Sequence, residues 1–383
     1  MKEIHLEPWE SISETVKGWL PLIEQRLYPP MPENPEVGKF YRLYPEGCIS
    51  ANHTPYHGSI RIGEEKENLL VFFNGGGVSW DEYMAAHPNG LFSAGQKERF
   101  YFNECEWLGD GVLENGIASR AEGKPFRNWS VINLPYSTGD FHCGTGDFPY
   151  TALDGSQRIL PHHGYTNTLA VLRMAKEYIG TPKKLLIAGT SAGGWGTSLM
   201  SEDVIRFFEG CEDVTCLVDS STALKADWKR IAEEVWQAPE HIVLRIHSED
   251  LMRDSYEALY KSFGGKVRCL FDCSIRDAAL VSLQNYIDGQ GMIYTREGGE
   301  RLEKRLLELC RHMQETMPGS ACFFFNEPST DPAADAEGLT QHGILEDASL
   351  HKIRTEGKTL LEWLVSAMNG NAETVGLSLF TQQ

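Results

Sequence analysis

The chain has 383 residues, 54 of them acidic and 35 basic, for a formal net charge of −19 at pH 7. That balance argues against a nucleic-acid or anionic-membrane partner, because both need a basic face. With 41% hydrophobic residues and no window approaching 18 consecutive apolar ones, a sizeable core and no membrane span are expected. The nine cysteines are scattered without a C-x-x-C pair, and the first twenty residues carry no apolar leader. A reduced, cytoplasmic protein without a metal site is the expectation.

Residues 1–37 read as an N-terminal helix followed by a proline-rich stretch (Pro29, Pro30, Pro32, Pro35), and residues 38–383 as one α/β domain. Residues 38–44 and 59–65 suggest an antiparallel edge at the front of a sheet. Leu69 to Asn74 is a continuous apolar run suited to a strand buried on both faces, and it ends in Gly75-Gly76-Gly77. Residues 81–129 are irregular and aromatic, as loops folded over the carboxyl edge of a sheet would be. Trp129 to Pro135 is the next buried strand. Its polar continuation carries Asp140 and His142, expected to hydrogen-bond nearby loops rather than bind metal. His162 and His163 open a helix at 166–178, where a helix-entry cluster that braces the site is expected rather than a pair of metal ligands. The short apolar run Leu185 to Ala188 is a strand, and a helix follows at 197–208. Residues 214–218 and 266–271 are further strands, separated by a charged, helical, cap-like insertion at 222–262. Residues 300–316 form an amphipathic helix. Residues 321–326 are the last core strand, and a helix closes the chain near 357–369. Strands alternating with helices predict a mostly parallel sheet with helices on both faces.

Gly189-Thr190-Ser191-Ala192-Gly193 is a G-x-S-x-G pattern between a strand and a helix. A serine nucleophile needs a tight, strained turn that exposes its hydroxyl, and the glycines remove side chains that would clash there. The Ala192 N–H and the helix N-terminus then face a developing oxyanion. The glycine run at 75–77 is placed to supply the second set of donors. Serine needs a base, and histidine suits neutral pH. His312, His342 and His351 lie late enough in the chain. His342, in the loop after the final core strand, stands where the base belongs. Asp219, Asp272 and Asp277 all lie at or near strand ends, and position alone does not separate them as the orienting acid.

Phe73 to Trp80, Pro125 to Gly144, His163-Gly164 with Asn167, and Gly189 to Trp195 come in an order and spacing that resembles the pectin acetylesterase and Notum family. Thr54-Pro55-Tyr56 adds to the likeness, which covers most of residues 38–345. The resemblance implies an α/β-hydrolase-like fold and a Ser-Asp-His triad. By motif it assigns Ser191 as nucleophile, Gly76, Gly77 and Ala192 as oxyanion donors, and Asp277 (with Leu280 three residues on) as the acid beside His342. Trp80, His142, His163 and Trp195 are expected to line the substrate site. The implied activity is hydrolysis of a small-molecule or carbohydrate ester, with a small acyl group such as acetyl and no cofactor. Two other readings remain: a longer acyl ester or thioester on the same triad, and a non-catalytic binding protein on a hydrolase scaffold.

Overall fold

The computed structural model describes residues 4, 6, 11–93 and 98–381. Eight strands make the central sheet: β1 (Phe40–Leu43), β2 (Gly58–Arg61), β3 (Glu65–Phe73), β4 (Trp129–Leu134), β5 (Lys184–Thr190), β6 (Asp213–Asp219), β7 (Val267–Ser274) and β8 (Ala321–Phe325). Their order is β1-β2-β4-β3-β5-β6-β7-β8. β1 pairs antiparallel with β2, and β2 with β4, while every other pair is parallel. The mostly parallel sheet and its antiparallel edge are thus those expected.

Seven helices are long enough to shape the layers: α1 (Glu14–Glu24), α2 (Gly164–Ile179), α3 (Ala192–Phe207), α4 (Leu251–Phe263), α5 (Ala278–Ile287), α6 (Arg296–Thr316) and α7 (Leu360–Met368). On one face of the sheet Val71, Phe73, Ile187, Val218 and Phe271 pack with residues of α2, α3, α4 and α6. On the other, Leu70, Phe72, Ala188, Leu217 and Phe323 pack with Leu360, Trp363 and Leu364 of α7. Both faces are covered, which is why these strands read as unbroken apolar runs. Each fully buried Leu, Val or Phe side chain contributes about 1.5–3 kcal/mol.

Four local expectations change. Residues 1–3, 5 and 7–10 of the N-terminal segment lie outside the described residues, and the helix expected there begins at Glu14. α3 starts at Ala192, directly after Ser191, because tertiary packing of its glycine-rich first turn overrides low helix propensity. β7 runs to Ser274, so Asp272 lies within the strand rather than ending it. Residues 222–250 hold only short turns of helix, including the π-turn Ile231–Val235. Trp228 and Trp236 are drawn inward there to pack around Phe141, and the Trp236 indole donates to the Ser79 carbonyl (2.8 Å).

Candidate active site

Ser191 sits between β5 and α3 with φ +58° and ψ −128°. A positive φ on a side-chain-bearing residue costs about 1–3 kcal/mol and persists only where its surroundings impose it. Here the Ser191 N–H donates to the Asp219 carbonyl (2.9 Å), and the Ser191 carbonyl accepts from the Ser221 hydroxyl (2.6 Å). A Cβ on Gly193 would collide with the Phe73 carbonyl at the end of β3, so glycine is what lets α3 approach the neighbouring strand. That approach brings Ala192 beside the Gly75–Gly77 turn. Gly77 has φ +83°, and a Cβ there would strike the Phe100 carbonyl. The turn is stitched to the 100–102 segment by Val78 N–H to Phe100 O (2.9 Å) and Phe102 N–H to Gly76 O (2.8 Å).

Gly76, Gly77, Ser191, Ala192, Trp195 and His342 line one cavity of about 270 Å³. The rest of its wall is mainly apolar: Val78, Met84, Phe100, Phe141, Ala279, Leu280, Leu283 and Met292, with Asn89 and Arg99. His342 Nδ1 donates to the two carboxylate oxygens of Asp277, at 2.8 and 2.9 Å. Nε2 is then the nitrogen left to act as a base. Asp277 is fully buried and also caps α5, accepting from the Leu280 N–H (3.0 Å). The histidine loop is tied to the acid's loop by Thr340 N–H to Arg276 O and Ala278 N–H to Thr340 O, both 3.0 Å. Burial pulls the His342 pKa down, but the charge and hydrogen bond of Asp277, aided by Asp219 and Glu346, leave it above the ordinary histidine value.

The other two acids do different work. Asp219 accepts through Oδ2 from the Thr190 hydroxyl (2.9 Å) and from the N–H groups of Ile344 (3.0 Å) and Leu345 (3.2 Å). Asp272 is buried beside it, in register on the next strand. The imidazole bond belongs to Asp277.

Matching the chain against protein families, the pectinacetylesterase model covers residues 47–275, more than half its length. The chain belongs to the pectinacetylesterase family. It is therefore an ester-hydrolysing enzyme. The matched segment contains Gly76, Gly77, Ser191 and Ala192, while Asp277 and His342 lie beyond it. Two crystal forms of the Wnt deacylase Notum from Drosophila are similar in fold, with TM-scores of 0.58 and 0.61. Each is 16% identical in sequence, over 86% of this chain and 93% of that one, and the likeness carries the α/β-hydrolase-like fold. No curated protein matches the chain in sequence.

Of the four residues expected to line the substrate site of this pectinacetylesterase-family chain, only Trp195 is among the cavity-lining residues, stacked on Phe141 at 4.7 Å. Trp80 packs edge-on against Trp228, with the Lys225 ammonium over its ring. His142 is buried, and its Nε2 bonds the Asn74 carbonyl (3.0 Å) from behind the glycine turn. Burial lowers its pKa to about 4, so it is neutral and structural. His163 precedes α2 and bonds Asp147 (3.0 Å), and its side chain does not cap the helix. Among the described residues no group of three or more His, Cys, Asp or Glu side chains is arranged to hold a metal ion.

Glu346 is a site residue that the sequence pattern does not flag. It follows His342 by four positions and accepts from the Asn74 amide (2.9 Å), linking the histidine loop to the glycine turn. Burial, with the Asp219 charge, raises its pKa from 4.5 to about 7. An acid whose pKa is raised on folding stabilises the fold below its unfolded value and loses that contribution as pH rises through the folded one. Glu346→Gln is thus expected to match the wild type in stability near pH 5. It should exceed the wild type by about 1–3 kcal/mol at pH values well above 7, read by urea denaturation at each pH.

Proposed function

We propose that this enzyme hydrolyses carboxylic esters through an acyl-enzyme on Ser191, with His342 as general base and Asp277 as its orienting acid. The observation that carries the reading is one cavity shared by a strained, half-buried serine, two of the three N–H-bearing glycines, Ala192, and an imidazole already bonded to a buried carboxylate. His342 Nε2 takes the Ser191 hydroxyl proton as Oγ attacks the ester carbonyl. The N–H groups of Gly76, Gly77 and Ala192, at the N-terminus of α3, receive the oxyanion; one such donor is worth about 3 kcal/mol in comparable sites. His342 then protonates the leaving alcohol, and water releases the acyl group by the reverse route. Asp277 fixes the tautomer and stabilises the imidazolium.

The resemblance alone implies an acetyl group. The cavity supports a larger apolar acyl chain, because an acetyl would leave most of about 270 Å³ of apolar-walled space unfilled. Each additional methylene buried there adds about 0.8 kcal/mol, close to fourfold in binding of the transition state. The test is a p-nitrophenyl ester series from acetyl to decanoyl, with a fluorophosphonate probe for Ser191. Rising kcat/KM over the first several methylenes is expected. A maximum at acetyl with decline at every longer chain overturns the acyl assignment. Absence of both labelling and turnover overturns the catalytic reading and leaves a binding protein on this scaffold.

A further inference from the structure

Beneath the cavity lie two carboxyls that the mechanism does not use. Asp219 ends β6 and Asp272 lies opposite it on β7, on the same face of a parallel pair. Both are fully buried, and Phe323 of β8 flanks Asp272 in register. Adjacent strands run about 4.8 Å apart, so the paired positions stand the two carboxyls side by side. Treated as ionised acceptors, they leave three buried oxygens without a donor: Asp219 Oδ1 and both oxygens of Asp272. Two adjacent ionised carboxylates in an apolar setting are not a tolerable arrangement. Among the described residues, the charged and titratable groups around the pair are His342 and Glu346 on the loop above, Cys273 beside Asp272 on β7, Cys322 on β8 and Tyr256 on α4, and of these only a protonated imidazole is a cation.

We propose that Asp272 is held as a neutral carboxylic acid whose O–H is donated to Asp219 Oδ1, and that the pair is a positioning device fixing the His342 loop on the Ser191 turn. One proton joins the facing oxygens. It leaves Asp219 Oδ2 an anionic acceptor for its three donors: the Thr190 hydroxyl just before the nucleophile, and the Ile344 and Leu345 N–H groups just after the histidine. The backbone repeats the tie. The Ser191 N–H reaches the Asp219 carbonyl, the Ser220 N–H reaches the Asp272 carbonyl (2.8 Å), and the Gly343 N–H reaches the Ser220 hydroxyl (3.2 Å). Burial and the neighbouring Asp219 charge both push the Asp272 carboxyl well above the usual carboxylate range, which agrees with the geometry. Asp219 and Asp272 are positioning residues: they act on the reaction only through where His342 and Ser191 stand.

The test has two arms. At about pH 9, where ordinary carboxyls are ionised, the infrared difference spectrum of wild type minus Asp272→Asn is expected to show the carbonyl stretch of a protonated carboxylic acid. No such band overturns the proposal. In the kinetic arm Asp272→Asn keeps a donor for Asp219 and is expected to hold kcat within about threefold. Asp272→Ala removes the donor and is expected to lower kcat by about 10- to 100-fold with KM little changed, as a small misplacement of catalytic groups does. Full activity in Asp272→Ala, or an equal loss in Asp272→Asn, overturns the positioning role. Should the alanine variant fail to fold, the asparagine variant and the infrared band still decide. The kinetic arm rests on the esterase reading above and the infrared arm does not, so a failure of one is distinguishable from a failure of the other.

Discussion

Ser191→Ala is expected to lower kcat on p-nitrophenyl esters by about 10,000- to 1,000,000-fold while leaving stability nearly unchanged. The nucleophile and its base act as a unit, so losing the hydroxyl removes the covalent route altogether. What remains is the acceleration of about 1,000- to 10,000-fold over water that the oxyanion donors and binding supply in comparable triads. Alanine keeps the Cβ, so the strain of the turn at φ +58° is the same in both proteins. The backbone bonds to Asp219 and Ser221 do not involve the hydroxyl. Steady-state kinetics beside a thermal melt separates the two effects. Wild-type turnover in the alanine variant would move the nucleophile elsewhere.

Asp277→Asn is expected to cost about 10,000-fold in kcat. The amide presents an N–H where the carboxylate accepted one, so the imidazole is held in the wrong tautomer with its proton on the nitrogen that must act as base. Asparagine caps helices about as well as aspartate, so α5 keeps its start and the loss is chemical. The same pair sets the pH profile. A base must be neutral to accept a proton, and Asp277 holds the His342 pKa above its ordinary value despite burial. The acidic limb of wild-type kcat/KM is therefore expected above the usual histidine pKa of about 6.5, with activity rising as pH increases through it. In Asp277→Asn the residual activity should show that limb at lower pH, because the anion retaining the proton is gone.

The sheet was legible because its strands are buried on both faces and announce themselves as apolar runs. The serine turn and glycine turn were legible because backbone geometry there excludes other residues, as the Gly193 and Gly77 contacts show. Choosing among Asp219, Asp272 and Asp277 from residue pattern alone was not possible, since all three lie near strand ends. β7 extends three residues past its expected end, which buries Asp272 within the sheet and places Asp277 on the turn that meets His342. Trp80, His142 and His163 lie close to the site along the chain yet bond behind it or away from it, because sequence gives proximity and not direction. Glu346 carries no signal in a single sequence. It is one glutamate in an ordinary loop until folding sets it against Asn74.

Asp277 has a second attachment with its own consequence. It caps α5, and Ala279, Leu280 and Leu283 of that same short helix form part of the cavity wall. Wall and carboxylate are thus one rigid lever. If the enzyme works as proposed, an acyl chain too bulky for the space is expected to press on this helix and so on the acid that holds the imidazole. Oversized esters are then expected to inhibit hydrolysis of a short p-nitrophenyl ester competitively while being turned over slowly themselves.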